Sequence, residues 1–286
     1  MEYNLTSPET IKRLLARHGT DFSKSLGQNF IIDDSICPTM ADCCGADKQS
    51  GVIEIGTGVG VLTRELARVA KKVVAVELDT SLFPVLSETL DGLDNVFVRN
   101  EDFLETDLER LIAEEFPGMN VFVCANLPYY ITSPIITKLI GCNKIKSATL
   151  MVQKEAADRI CAEVGSRNSG VLTVSVSYRA KAQKIFDVRK TSFMPSPKVD
   201  SSVIKLDILE KPCVEVMDED FFFKVVSAAF SQRRKTAVNS LSSGLGIDKN
   251  TVSAVLSAMS LSPTIRPECL TLQQLVDLSE ALKENL

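Results

Sequence analysis

Hydrophobic and polar positions along the chain alternate between two rhythms. VIEIG (52–56), KVVAVELD (72–79), NVFVRNED (95–102), NVFVCANL (120–127) and SATLMVQ (147–153) are short runs rich in Val, Ile and Phe, the composition of strands buried in a sheet. Between them, in 61–70, 81–90, 107–115 and 133–141, apolar residues recur three and four positions apart, as on one face of a helix. Strand and helix trading places predicts a mostly parallel sheet with helices on both faces. Ahead of it, SPETIKRLLARHG (7–19) reads as a helix with Ser7 as its cap, Pro8 in its first turn and Gly19 after its last apolar position. Residues 35–45 read as a second helix.

Beyond 153 the rhythm breaks. Residues 154–163 read as helix, VLTVSVSYRA (171–180) fits helix or strand alike, and β-rich runs near 184–188 and 201–209 predict an antiparallel hairpin closing the sheet. From LEKPC (209–213) onward the pattern is helical, with turn signals at Gly244–Gly246 and Ser262–Pro263. The division expected is one α/β domain over 1–210 and a small all-helical domain over 211–286.

Composition narrows the class. With 45% hydrophobic and 24% charged residues in 286, the chain is neither a disordered nor a membrane-spanning polypeptide. No apolar run approaches the ~20 residues that cross a bilayer, and the N-terminus lacks a signal-peptide profile, so a cytoplasmic location is expected. The eight cysteines show no C-x-x-C spacing and His18 is the one histidine. No metal site is therefore expected, and the thiols read as small buried hydrophobes of a reducing compartment. A net charge of −5 runs against a nucleic-acid partner, but charge is unevenly spread. Lys12, Arg13, Arg17 and Lys24 cluster near the start and Arg233, Arg234 and Lys235 near the end, leaving room for a local basic face.

Candidate chemistry begins at Glu54-Ile-Gly56-Thr-Gly58-Val-Gly60, between a strand and a helix. Glycines there let the backbone approach a ligand at the carboxyl end of the first strand, where open α/β sheets bind. Position 61 is valine, so the third glycine of the dinucleotide pattern G-x-G-x-x-G is missing and NAD is disfavoured. The loop, with an acid two residues before its first glycine, resembles motif I of class I S-adenosylmethionine-dependent methyltransferases. Glu77 ends the next strand about 20 residues on, where a carboxylate suits ribose hydroxyls. Asp102 ends the third strand, suited to an adenine amino group. Their neighbours Leu78 and Phe103 are counted with them as cofactor residues.

The fourth strand ends in Asn126-Leu127-Pro128-Tyr129, which resembles the N/D-P-P-Y/F/W signature of methyltransferases that act on amino groups attached to a ring. The chemistry needs these residue types. The lone pair of an adenine amino nitrogen is delocalised into the ring, and the nitrogen becomes nucleophilic when its hydrogens are held in a more tetrahedral arrangement. The Asn126 amide oxygen and the Leu127 carbonyl can accept those hydrogens, Pro128 fixes the turn, and Tyr129 offers a face for stacking.

Across nearly the whole chain, the residues resemble the bacterial small-subunit ribosomal RNA adenine dimethyltransferases. SLGQNFIID (25–33), EIGTGVG (54–60), Glu77, Asp102, NLPYYITSP (126–134), FMPSPKVDSSV (193–203) and FSQRRKTAVNSL (230–241) each match a family element; Ile31 stands where leucine is commoner. The resemblance implies a Rossmann-like methyltransferase fold with a helical C-terminal domain and S-adenosylmethionine as cofactor. It implies dimethylation of two adjacent adenines near the 3′ end of small-subunit RNA, on a pre-30S particle late in its biogenesis. By residue it implies Gln28, Asn29, Ile31, Glu54, Gly56, Gly58, Glu77, Asp102 and Asn126 at the cofactor, and Phe193 stacking on the base opposite Tyr129. Lys24, Arg233, Arg234 and Lys235 become RNA contacts, and the free protein is expected to be a monomer.

Alternatives remain at this point. The related large-subunit RNA methyltransferases of macrolide resistance share motif I and an NIPY-like tetrapeptide, although PKVDS and QRRKT favour the small-subunit enzyme. DNA adenine methyltransferases carry an acid at position 126 and a separate recognition domain. A ribosome-assembly factor with secondary methylation is compatible with the same sequence, and an NAD-dependent oxidoreductase is the most distant reading.

Overall fold

The computed structural model describes residues 3–22, 27–232 and 234–284. In chain order the elements are α1 (Pro8–Arg17), β1 (Phe30–Ile31), α2 (Ile36–Cys44), β2 (Gly51–Ile55), α3 (Val61–Val69), β3 (Lys72–Glu77), α4 (Phe83–Thr89), β4 (Val96–Asn100), α5 (Leu108–Glu115), β5 (Val121–Asn126), α6 (Thr132–Ile140), β6 (Ile145–Gln153) and α7 (Lys154–Ile160). They continue with α8 (Val171–Arg179), β7 (Ala180–Val188), β8 (Phe193–Met194), β9 (Ser201–Ile208), α9 (Glu219–Phe230), α10 (Ala237–Leu245), α11 (Lys249–Ala258) and α12 (Leu272–Glu284).

The chain divides into two compact units, Met1–Ala157 with Lys181–Ile208, and Asp158–Ala180 with Leu209–Leu286. The helical unit is thus discontinuous in sequence. It takes in 158–180, which a single cut after residue 210 leaves in the α/β part.

In the first unit a seven-stranded sheet runs in the order β4-β3-β2-β5-β6-β9-β7. The pairs β4–β3, β3–β2, β2–β5 and β5–β6 are parallel, and β9 runs antiparallel to β6, from Ser147 opposite Asp207 to Gln153 opposite Ser201. This is a mostly parallel, Rossmann-like α/β sheet in which β9 runs against the parallel strands. Every residue of β2 is buried, as expected for a strand covered on both faces. From β2 the chain moves outward through β3 and β4 and then returns to place β5 on the other flank. Between β2 and β5 lies the topological switch point, where ligands of open α/β sheets bind.

α1 forms as its sequence predicts. The Ser7 side chain accepts from Thr10 N, Pro8 opens the helix, and Ile11, Leu14 and Leu15 are buried in a cluster with Phe30, Leu82, Val85 and Leu86. Arg17 and His18, at its end, both reach the carboxylate of Glu88, His18 Nε2 at 2.6 Å. A feature the alternation did not reveal is the antiparallel ribbon of β1 and β8, with Phe30 opposite Met194 and Ile31 opposite Phe193.

In the second unit, 171–180 resolves as helix α8 followed by the start of β7. Its β-branched residues are overridden by packing, because Val174 and Tyr178, one turn apart, enter the same core as Phe222 and Val226 of α9. Gly244 is not a turn residue. It lies inside α10, and a Cβ there would sit 2.6 Å from that of Ala228, so the glycine permits close approach of α10 to α9. The turn falls at Gly246, with φ +72°. Of the eight cysteines, Cys37, Cys44, Cys124 and Cys142 are buried, while Cys213 and Cys269 are exposed, so the reading as buried hydrophobes holds for part of the set. Among the described residues no helix is long and apolar enough to cross a membrane.

Candidate active site

The carboxyl ends of β2, β3 and β5, with the segments after β4 and before β1, surround one cavity. Its lining includes Gln28, Asn29, Gly56, Gly58, Glu77, Leu78, Asp102, Phe103 and the run Asn126 to Tyr129. Strand ends and glycine loop therefore converge as the spacing predicts. Gly56, Gly58 and Gly60 all have positive φ, of 75°, 58° and 90°, a region that side chains with a Cβ avoid. The backbone can consequently wind tightly between β2 and α3 while leaving space over Gly56, where an added Cβ would meet nothing within 4 Å.

Glu77 organises this loop. One carboxylate oxygen accepts from Thr57 N at 2.9 Å and Gly58 N at 3.2 Å, and the other accepts from Asp79 N at 2.9 Å. Burial pushes the Glu77 carboxyl upward, and the amides of Asp79, Gly58 and Thr57 pull it back toward the ionised form. A carboxylate offers about four lone-pair directions, so acceptor capacity remains for a ligand hydroxyl. Gln28 extends the network by donating from Nε2 to Asp79 at 2.6 Å. Leu78 is 48% exposed at the cavity. Asp102 is exposed and accepts from Leu104 N at 2.8 Å, and Phe103 is buried beside it, with Lys138 Nζ 5.5 Å from its ring centre.

At the end of β5, Asn126 donates from Nδ2 to the Asn29 carbonyl at 3.2 Å. That bond leaves the amide oxygen with no hydrogen bond from the described residues. Leu127 N donates to Met151 O at 3.1 Å, continuing the sheet past its last paired residue, and the Pro128 carbonyl accepts from Ile131 N at 3.2 Å. Tyr129 is half-buried and shares a hydrogen bond with Ser201 at 2.8 Å; burial pushes its phenol upward.

Glu54 is set apart. It is 1% exposed, and neither carboxylate oxygen has a hydrogen-bond partner among the described residues. It lines a smaller cavity adjoining the first, together with Asn29, Ile31, Gly56, Gly58 and Asn126. Burial raises its pKa to about 8, against the pull of the nearby Thr63 hydroxyl and with a smaller push from the charge of Glu77. A buried acid with no hydrogen-bond partner among the described residues, beside a glycine loop, calls for a cationic or hydrogen-bonding ligand group.

Not every expected residue meets at this place. Phe193 is 3% exposed and packs among Ile31, Met40, Cys124 and Val203. It does not line the cavity, because its register opposite Ile31 turns it into the core, and no free ring face is left to lie opposite Tyr129. Arg234 and Lys235 lie in the other unit, exposed and without an acidic partner among the described residues. Lys24 and Arg233 lie outside the described residues. The lining also holds Gly27, Phe30, Val76, Glu101 and Tyr130, which sequence reasoning did not single out. Tyr130 is 60% exposed, and its ring approaches to 3.5 Å of where a Cβ of Gly27 would be. Its place immediately after the tetrapeptide was the available signal.

The sheet order, the glycine loop and acids at successive strand ends define a class I S-adenosylmethionine-dependent methyltransferase. The sequence profile of the family described as ribosomal RNA adenine dimethylase matches residues 19–275, and the chain belongs to that family. Curated relatives named ribosomal RNA small subunit methyltransferase A include one from Geobacillus thermodenitrificans, 45% identical over 99% of this chain and 98% of its own length. Another, from Alkaliphilus oremlandii, is 44% identical over 99% of both. Among solved structures, a dimethyladenosine transferase from Plasmodium falciparum matches with a TM-score of 0.70 and 27% identity, over 90% of this chain and 98% of that one. The 23S rRNA methyltransferase ErmE matches with a TM-score of 0.67 and 28% identity, over 89% and 100%.

Proposed function

We propose that this chain dimethylates the N6 amino groups of two adjacent adenines near the 3′ end of small-subunit ribosomal RNA, on a pre-30S particle. The observation that carries the reading is Asn126, at the end of β5, which lines the same cavity as the glycine loop and Glu77 and whose amide oxygen takes no hydrogen bond from the described residues. The two structural neighbours score alike, and of their names that of ErmE states a 23S rRNA while the other states no RNA. The preference for the small subunit therefore rests on the relatives at 44–45% identity.

When bound, S-adenosylmethionine supplies a methyl group on a positively charged sulfur. The free oxygens of Glu54 suit the cationic end of that molecule, the remaining capacity of Glu77 suits its ribose, and the edge between Leu78, Asp102 and Phe103 suits its adenine. Asn126 Oδ1 and the Leu127 carbonyl accept the two hydrogens of the target amino group, and Tyr129 stacks on the base. Alignment rather than a strong base carries the rate: the nitrogen lone pair would take the methyl as the carbon–sulfur bond breaks, leaving a neutral thioether, and the nitrogen would then release its proton to water. Arg234 and Lys235, exposed and without an acidic partner among the described residues, suit RNA phosphates. We read the free protein as a monomer acting in the cytoplasm.

Small subunits lacking the modification, incubated with the protein and methyl-labelled cofactor, are expected to yield labelled dimethyladenosine at two neighbouring positions. Label in large-subunit RNA would transfer the protein to the ErmE-like activity, and no label in any RNA would end the reading. Exposed Tyr130 is expected to add a second stacking surface at the mouth of the cavity. Tyr130→Ala should raise KM for the subunit by about 5–150-fold, the range of one base–aromatic stack, and Tyr130→Phe should restore it. Equal KM in Ala and wild type would remove Tyr130 from the RNA path.

A further inference from the structure

Ser201 is fully buried and opens β9 opposite Gln153 of β6. Its hydroxyl makes one hydrogen bond among the described residues, to the phenol of Tyr129, with either atom able to donate. The backbone on its N-terminal side is fixed as well. The Asp200 carbonyl accepts from Lys154 N at 3.0 Å, and Asp200 Oδ1 accepts from Lys190 N at 2.9 Å. Ser201 is therefore a rigid point of the sheet, held from both neighbouring segments.

Tyr129 has no such support of its own. It begins a single 3-10 turn, Tyr129–Ile131, immediately after Pro128, and it is only half-buried. The second torsion of a tyrosine is broad, so a ring carried on one short turn sweeps a range of orientations unless its far end is tied. A stacked base follows the plane of the ring beneath it. Phe193, sunk in the core, offers no opposing face to correct a tilt, so the orientation of the base depends on the tether at the phenol.

We propose that Ser201 is a positioning residue of the transfer reaction, its hydroxyl holding the Tyr129 ring at the tilt that aims a stacked adenine's amino group at Asn126 and Leu127. The inference rests on the reading of Tyr129 as the stacking face. It also gives the PKVDS element, distant in sequence from NLPY, a chemical role in the same step.

Ser201→Ala and Tyr129→Phe remove the same bond from its two ends. Each is expected to lower kcat on unmodified small subunits on the order of tenfold, the worth of one buried hydrogen bond. KM for the subunit and cofactor affinity by calorimetry should stay within about twofold, because the stacking area and the cofactor cavity are untouched. The double variant should be no slower than the slower single, since one interaction cannot be lost twice. Losses that multiply, a loss confined to KM, or wild-type kcat in Ser201→Ala would each overturn the proposal. Should Ser201→Ala fail to fold, wild-type kcat in Tyr129→Phe alone overturns it. Absence of adenine methylation by the wild type is a different failure, which falls on the proposed function itself.

Discussion

Asn126→Ala is expected to lower methyl transfer by at least ~10²-fold, the scale of losing one preorganised polar contact or of misplacing the reacting atom. Cofactor affinity should change by less than about threefold. Both halves follow from how the side chain is held. Its amide nitrogen is occupied by the Asn29 carbonyl at 3.2 Å, which fixes the rotation of the amide and leaves Oδ1 as the polar atom free to act on a ligand. Alanine removes that acceptor and orphans the Asn29 carbonyl, while the Glu77 network that shapes the glycine loop stays intact. Single-turnover rates with saturating cofactor, set beside calorimetric titration of the cofactor, separate the two effects. Unchanged turnover would take Asn126 out of the reaction, and a parallel collapse of affinity would make it a cofactor residue only.

Much of this site was legible because its parts obey local rules. Strand ends were marked by apolar runs stopping at Glu77, near Asp102 and at Asn126, and parallel topology carries all such ends to one rim. The glycine loop was legible because positive φ at three alternate positions has no other inexpensive residue. What sequence could not supply was the outcome of packing. Phe193 sits in a motif with an aromatic residue of expected function, yet which way it faces is set by a two-residue ribbon with Phe30 and Ile31, 162 positions earlier in the Ile31↔Phe193 pair. A shift of one residue in that register would turn the ring to the other side. The run 171–180 looked equally like strand because Val and Thr favour strands, and the core around Phe222 decided for helix. Gly244 carried a turn signal whose real cause was Ala228 on the neighbouring helix. The Tyr129–Ser201 bond joins residues that no periodicity connects.

Glu54 should make both stability and cofactor binding depend on pH near neutrality. In the folded, ligand-free protein its pKa is raised from 4.5 to about 8 by burial, so at pH 7 the folded chain holds a proton that the unfolded chain has released. A raised carboxyl pKa contributes stability fully below 4.5, and that contribution falls by about 1.4 kcal/mol per pH unit as pH climbs toward 8, then levels off. Glu54→Gln, which cannot ionise, should flatten that stretch of the stability profile and leave the protein more stable than wild type at pH 8. The same residue then works in the opposite sense for the ligand. A cation beside Glu54 favours the ionised form, so binding near pH 7 should expel close to one proton per site, and fewer as pH passes 8. Calorimetry in buffers of different ionisation enthalpy counts that proton. The Gln variant should release none from this site and bind about 10–100-fold more weakly, the coupling expected for one lost charge partner in a buried setting. If wild type and Gln variant released the same number of protons, Glu54 would be ionised before the cofactor arrives, and some unseen partner would have to stabilise its charge inside the sheet.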